Sequence, residues 1–177
     1  KLEYRGYDSA GIAVFQNGRA IIFKEIGELK NLRKTVGGRV LAGSVGIGHT
    51  RWATHGGVTR ENAHPHTDCS GKVVVVHNGI IENYEKLKGR LLRQGHKFFS
   101  ETDTEVFPHL IEEKLKNKKS FTEAVRLSFK EIEGLNAVVA CSGRGEMVAF
   151  RRGSPLVAGI GKKANYVSSD IPALSSS

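Results

Sequence analysis

The chain predicts an α+β fold in which sheets pack face to face with helices on the outside. Three observations predict it: strand-like segments open the chain, helical periodicity gathers in the middle, and strand-like segments return at the end. That order argues against a doubly wound parallel sheet, in which strand and helix would alternate throughout. At 177 residues, 39% hydrophobic and 25% charged, the composition is that of one globular domain able to bury a core.

The elements follow in order. Residues 11–15 and 20–24 read as strands joined by Gln16-Asn17-Gly18-Arg19, and Asn-Gly is a strong hairpin signal. Residues 28–36 place Leu29, Leu32 and Val36 on one helical face, and Gly37-Gly38 ends it. Residues 45–49 read as a short strand. Residues 72–77 hold four consecutive valines, a strand covered on both faces. Residues 83–94 put Leu87, Leu91 and Leu92 on a helix stopped by Gly95. Residues 97–100 read as a short strand, and residues 104–116 as a helix with Pro108 tolerable in its first turn. Ser120-Phe121-Thr122-Glu123 is a capping box opening a helix to about Glu133. Residues 136–141, 147–151, 155–160 and 165–169 are the closing strands.

Charge and cysteine content narrow the function classes. The formal charge is +9, which raises a nucleic-acid partner. Its distribution does not support one. Residues 1–60 carry ten basic and four acidic side chains, and residues 84–133 carry eleven and nine, intermingled as on a solvated helix face. Lys114, Lys116, Lys118 and Lys119 fall at an expected helix C-terminus, where cations are favoured anyway. No apolar run approaches a membrane span, so no membrane partner is expected. Two cysteines, Cys69 and Cys141, are too few for a disulfide framework and point to a cytoplasmic location.

The most informative stretch is His49-Thr50-Arg51-Trp52-Ala53-Thr54-His55-Gly56. Arg51 offers a planar fork that matches a carboxylate. Thr50, Thr54 and His55 can add hydrogen bonds, and Trp52 can form a wall or lid. The alternative is a turn with one buried tryptophan and a surface arginine. In His77-Asn78-Gly79 a buried strand delivers a side-chain amide and an unshielded backbone N–H to its end. Two such donors make an oxyanion hole, although a plain Asn-Gly turn has the same residues. Asp103, in Ser100-Glu101-Thr102-Asp103-Thr104-Glu105, either caps a helix or binds an ammonium. Together the three segments describe a binder of an α-amino acid. No nucleophile is evident: Cys69 sits in a polar turn without an activating partner, and Cys141 ends an apolar run as a core thiol. His64-Pro65-His66 lies near His55 and His77, but no metal-ligand spacing occurs, and Pro65 is expected to splay the flanking imidazoles. Neither a metal nor any other cofactor is expected.

These segments, with Leu2-Glu3-Tyr4-Arg5-Gly6-Tyr7-Asp8-Ser9-Ala10-Gly11 and Asn62-Ala63-His64-Pro65-His66, resemble the glutaminase domain of the glucosamine-6-phosphate synthase family. These are class II amidotransferases. The resemblance runs in order along nearly the whole chain, to Gly153-Ser154-Pro155-Leu156-Val157 and Ser168-Ser169-Asp170. It implies a four-layer αββα sandwich of the N-terminal-nucleophile hydrolase type, here with an incomplete first strand. It implies that residues 1–177 are a partial glutaminase domain, with the sugar-phosphate isomerase domains of the same polypeptide lying outside it. The ligands implied are L-glutamine and L-glutamate, and the full-length enzyme would be a homo-oligomer.

By motif, Arg51, Trp52, Thr54, His55, Gly79 and Asp103 would bind substrate, with Trp52 in a mobile screening loop. Asn78 and Gly79 would form the oxyanion hole, Arg5 would support the nucleophile, and His64 would be structural. The family's nucleophile is an N-terminal cysteine whose own amine is the general base. It would precede Lys1 by roughly twenty residues, so residues 1–177 alone are expected to be inactive. A class II amidotransferase with another acceptor, and a basic nucleic-acid-binding module, are the alternatives.

Overall fold

The computed structural model describes residues 2–175. Strands β1 (Ser9–Gln16), β2 (Arg19–Ile26) and β3 (Gly46–Arg51) form one antiparallel sheet in the order β2-β1-β3. Strands β4 (His66–Thr67), β5 (Val73–Gly79), β6 (Asn136–Ser142) and β7 (Met147–Arg152) form a second, also antiparallel and in that order. A small hairpin of β8 (Val157–Ile160) and β9 (Asn165–Ser168) follows. The helices are α1 (Leu29–Val36), α2 (Tyr84–Arg93), α3 (Val106–Lys116) and α4 (Phe121–Glu131).

Two cores explain the layering. Strand side chains alternate between faces, and β5 uses both. Val74 and Val76 meet Ala13 and Phe15 of β1, Ile47 of β3 and Val139 and Cys141 of β6, so the two sheets pack face to face. Val73 and Val75 point the other way, into a core with Leu87 and Leu91 of α2, Phe107, Leu110 and Ile111 of α3, and Phe121 and Val125 of α4. On the far side α1 packs against β1 and β2 and buries Leu32. The order is α1, first sheet, second sheet, then α2–α4: the expected αββα sandwich.

Local signals act as their chemistry requires. Ser120 caps α4, its hydroxyl accepting from the Glu123 N–H at 3.3 Å. The reciprocal half of the box is missing, because the Glu123 carboxylate accepts from Arg126 at 2.8 and 2.6 Å instead. Pro108 sits in the first turn of α3, where no helical N–H is lost.

Two expectations need correction. Residues 97–100 form no strand. The backbone N–H groups of Phe99 and Ser100 donate to the Glu105 carboxylate at 2.8 and 2.6 Å, leaving no ladder to join. Pro65 does not splay its neighbours. The His64–Pro65 peptide is cis, and the His64 and His66 rings meet edge to face at 4.9 Å.

The middle strand of the first sheet passes so close to this turn that a Cβ on Gly11 would lie 2.1 Å from the His64 carbonyl oxygen. Gly11→Ala should therefore cost about 1–3 kcal/mol through overpacking. The check is urea denaturation, which should show a lower midpoint at an unchanged m-value.

Candidate active site

A cavity of about 110 Å³ opens where β3, β5 and the segment 102–104 converge. Arg5, Arg51, Trp52, Thr54, His55, His64, Asn78, Gly79 and Asp103 all line it. Every site residue expected from the sequence is thus brought to one place. A second cavity of about 320 Å³ lies between the sheets and shares Arg5, His49, Thr50, His77 and Asn78 with the first.

Arg51 ends β3 and is 4% exposed. Its guanidinium donates to the carbonyls of Gly57 at 3.1 Å, Gly56 at 3.3 Å and His55. It therefore ties the 55–57 loop to the sheet. All three partners are neutral, and among the described residues no carboxylate pairs with Arg51. Burial pushes its pKa down, while the more distant charges of Asp8 and Asp103 oppose that. A buried guanidinium hydrogen-bonded only to carbonyls has its charge offset only by those more distant carboxylates.

The loop is fastened from its other side too. Asn62 donates to the Gly57 carbonyl at 3.0 Å and accepts from the Glu101 N–H at 2.9 Å. The Ala53 N–H donates to Asp8 at 2.8 Å. Trp52 stands at the rim, 61% exposed, with Tyr7 tilted against it at 5.5 Å. His55 packs on the edge of Tyr84, and its buried Nδ1 has no partner among the described residues.

Asp103 supplies the opposite charge. It is 4% exposed, and its Oδ2 accepts from the Ile81 N–H at 2.7 Å, which fixes the chain just beyond Gly79. No cationic side chain among the described residues pairs with it. Gly79 itself has φ +124, and a Cβ there would fall 2.1 Å from the Leu135 carbonyl oxygen. Only glycine lets β5 turn here while running this close to the start of β6.

Beneath the cavity runs a chain of contacts that sequence reasoning missed. Asn78 Oδ1 faces His49 Nε2 at 2.9 Å, and His49 Nδ1 faces His64 Nδ1 at 3.2 Å. His64 Nε2 meets the Thr104 hydroxyl at 3.1 Å, which meets His77 Nδ1 at 2.8 Å. His77 Nε2 meets Asn136 Oδ1 at 2.7 Å. Burial lowers the pKa of all three rings, that of His49 to about 4, so they are neutral near pH 7.

Three neutral rings and one hydroxyl offer four protons to these five contacts. Asn136 cannot relieve the shortage by turning, because its Nδ2 donates to the Glu133 carbonyl at 2.9 Å. Asn78 can turn. Keeping its Oδ1 on His49 and its Nδ2 for a ligand leaves one contact of the chain without a proton. An oxyanion in the cavity would offset that cost. The separations of 29 residues from His49 to Asn78 and 59 from His77 to Asn136 hide this chain from any local motif.

Comparison with known proteins identifies the family. A family model described as a glutamine amidotransferase domain matches residues 49–176. The chain is 51% identical over 175 residues to the glutamine–fructose-6-phosphate aminotransferase (isomerizing) of Pyrococcus horikoshii. It is 48% identical over 176 residues to that of Aquifex aeolicus, and 51% over 175 to that of Thermus thermophilus. Each match covers 98% of this chain and 29% of the relative, so the chain spans under a third of their length. Among solved structures it resembles the glutamine phosphoribosylpyrophosphate amidotransferase of B. subtilis complexed with ADP and GMP. That match has a TM-score of 0.79 at 28% identity, covering 95% of this chain and 37% of that one. The αββα sandwich is accordingly of the N-terminal-nucleophile type. The chain belongs to the glutamine amidotransferase domain family, on the branch of the glutamine–fructose-6-phosphate aminotransferases.

Proposed function

We propose that this site binds L-glutamine and, within a longer polypeptide, releases its amide nitrogen for the amination of fructose 6-phosphate. One observation carries the binding half. A buried cation, Arg51, and a buried anion, Asp103, line the same cavity, and neither is paired with an opposite charge among the described residues. An α-amino acid zwitterion compensates both at once. The remaining guanidinium N–H groups, with Thr54 and His55, hold the carboxylate, while Asp103 and Gly79 hold the ammonium. Trp52 closes over the side chain from the rim and screens the product ammonia from water.

The chemical half follows from Asn78 and Gly79. A thiolate attacks the glutamine amide carbon, and the carbonyl oxygen becomes an oxyanion that the Asn78 amide and the Gly79 N–H stabilise. Ammonia leaves, and water then hydrolyses the thioester to glutamate. Neither cysteine of residues 1–177 fits the attacking role. Burial pushes Cys141 up to about 12. Cys69 lines neither cavity, and burial with the Glu112 carboxylate holds its thiol above the ordinary value. The nucleophile implied by the resemblance is an N-terminal cysteine, set beside Arg5. The acceptor is carried by the names of the relatives alone, and the isomerase activity belongs to sequence outside residues 1–177.

Three outcomes test this reading. In calorimetric titration with L-glutamate, Asp103→Asn keeps an acceptor for the Ile81 N–H but loses the charge, so affinity should fall about 10- to 100-fold. Arg51→Ala should lose at least as much, and unchanged affinity in both variants would overturn the site. A polypeptide of residues 1–177 alone should release no ammonia from glutamine. The longer polypeptide that carries the proposed N-terminal cysteine should release it, and activity of residues 1–177 alone would refute the nucleophile assignment. In that active form, Asn78→Ala should lower kcat about 100- to 1000-fold with little change in KM. His49→Leu should lower kcat by less, since it removes only the anchor that orients the amide.

A further inference from the structure

Away from the cavity, four side chains from three parts of the chain converge. Cys69 comes from the turn between β4 and β5, His96 from the segment after α2, and His109 and Glu112 from adjacent turns of α3. One donor atom from each, Cys69 Sγ, His96 Nδ1, His109 Nδ1 and a Glu112 oxygen, lies within 4.8 Å of all the others. The sulfur is 3.6 Å from each imidazole nitrogen, and the two nitrogens are 3.2 Å apart. Glu112 Oε2 is 3.0 Å from His96 Nδ1 and 3.4 Å from His109 Nδ1.

We propose that this cluster is a closed tetrahedral site for a divalent metal ion of the zinc class, with Cys69, His96, His109 and Glu112 as its ligands. The edge lengths carry the proposal. Metal bonds of about 2.0–2.3 Å at tetrahedral angles place neighbouring ligand atoms about 3.3–3.8 Å apart. The distances here scatter around that range. His96 Nε2 meets Glu113 Oε1 at 2.7 Å and donates its proton there, so in the neutral ring Nδ1 is a bare lone pair. That lone pair faces a carboxylate, a second imidazole nitrogen and a sulfur. With the thiol deprotonated and the His109 proton on Nε2, the four atoms turn their lone pairs on one point, which is what a cation collects.

The surroundings support it. Both histidine side chains are 1% exposed. His96 has a carboxylate bonded behind its other nitrogen, Glu113 at 2.7 Å, whereas the buried His109 Nε2 has no hydrogen-bond partner among the described residues and Glu105 stands 3.9 Å from it. Metal-bound histidines are oriented by such carboxylates. The mixed nitrogen, sulfur and oxygen donor set suits zinc and does not suit magnesium or calcium. Four protein ligands leave no open position for substrate, so the ion would be structural. It would join the β4–β5 turn to α3 and to the segment following α2. The sequence expectation of no metal weighed His55, His64, His66 and His77 and gave no weight to this set. Its spacing, with 26 residues between Cys69 and His96 and 12 between His96 and His109, matches no compact ligand motif.

The test uses the full-length protein, stripped of metal by a chelator and then titrated with Zn²⁺ or Co²⁺. Mass spectrometry of the zinc-loaded protein should show one ion per chain that Cys69→Ser and His109→Gln lose. Co²⁺ should give a thiolate-to-metal absorption band and the visible bands of tetrahedral cobalt, with the thiolate band absent in Cys69→Ser. Cys69 is at an exposed turn, so that variant should keep the native circular dichroism spectrum. Should either variant fail to fold, the cobalt spectrum of the unaltered protein decides alone. No binding at micromolar metal, an octahedral cobalt spectrum, or a thiolate band that survives Cys69→Ser would overturn the proposal. Glutamate affinity, read on the same samples, separates a failure here from a failure of the glutamine site.

Discussion

The fold depends on the burial of β5 on both faces. Most strands of an antiparallel sheet show one side to water, whereas Val73, Val74 and Val75 are each at most 1% exposed. One side of the strand must meet a second sheet and the other must meet helices, which dictates at least three layers. Register then carries this requirement to the end of the strand. His77 continues the helix-facing row of Val73 and Val75 and reaches Thr104 and Asn136. Asn78 continues the sheet-facing row of Val74 and Val76 and reaches His49 of the opposite sheet. A slip of one residue would exchange these two rows, and the site would lose its amide and its network together.

Upon that frame the site is defined by what its charges lack. Arg51 spends its donors on three loop carbonyls and Asp103 accepts from a backbone N–H. Each is thereby fixed in place without being neutralised. On the proposed reading, an internal Arg–Asp ion pair would obstruct a zwitterionic ligand. On the same reading, neutral partners give geometry and keep the charge for a zwitterionic ligand, which is how a rigid site stays responsive. The same division appears at Asn78, whose oxygen is anchored while its nitrogen is kept.

Short-range chemistry was legible in the sequence. The Asn-Gly hairpin, the valine strand, the glycine helix stops and the 49–56 stretch each signal through adjacent residues, and the cavity gathers the residues that those signals marked. What stayed hidden depends on distance along the chain. His49 orients Asn78, Asn136 closes the relay, and Asn62 with Glu101 braces the 55–57 loop, all through pairings fixed only by the fold. Residues 97–100 differ for a local reason. A glutamate five residues past Ser100 captures the backbone N–H groups that a ladder would need.

That capture ties the two polar centres of the domain together. Residues 96–112 run as one continuous brace. His96 joins His109, Glu112 and Cys69 at one end, and Asp103 reaches into the cavity near the middle. Between them Glu105 accepts from Phe99, Ser100 and the Ser100 hydroxyl while also lying behind His109. The apolar residues of the same segment, Val106, Phe107, Leu110 and Ile111, are buried in the helix-side core. Asp103 is therefore positioned by a stretch of backbone held at three kinds of anchor: apolar packing, a buried carboxylate, and the cysteine–histidine cluster. A buried carboxylate with no direct ion-pair partner among the described residues is placed by its backbone, and here by the Ile81 N–H. Rigidity here is supplied from behind the site, which leaves the cavity face free for the ligand.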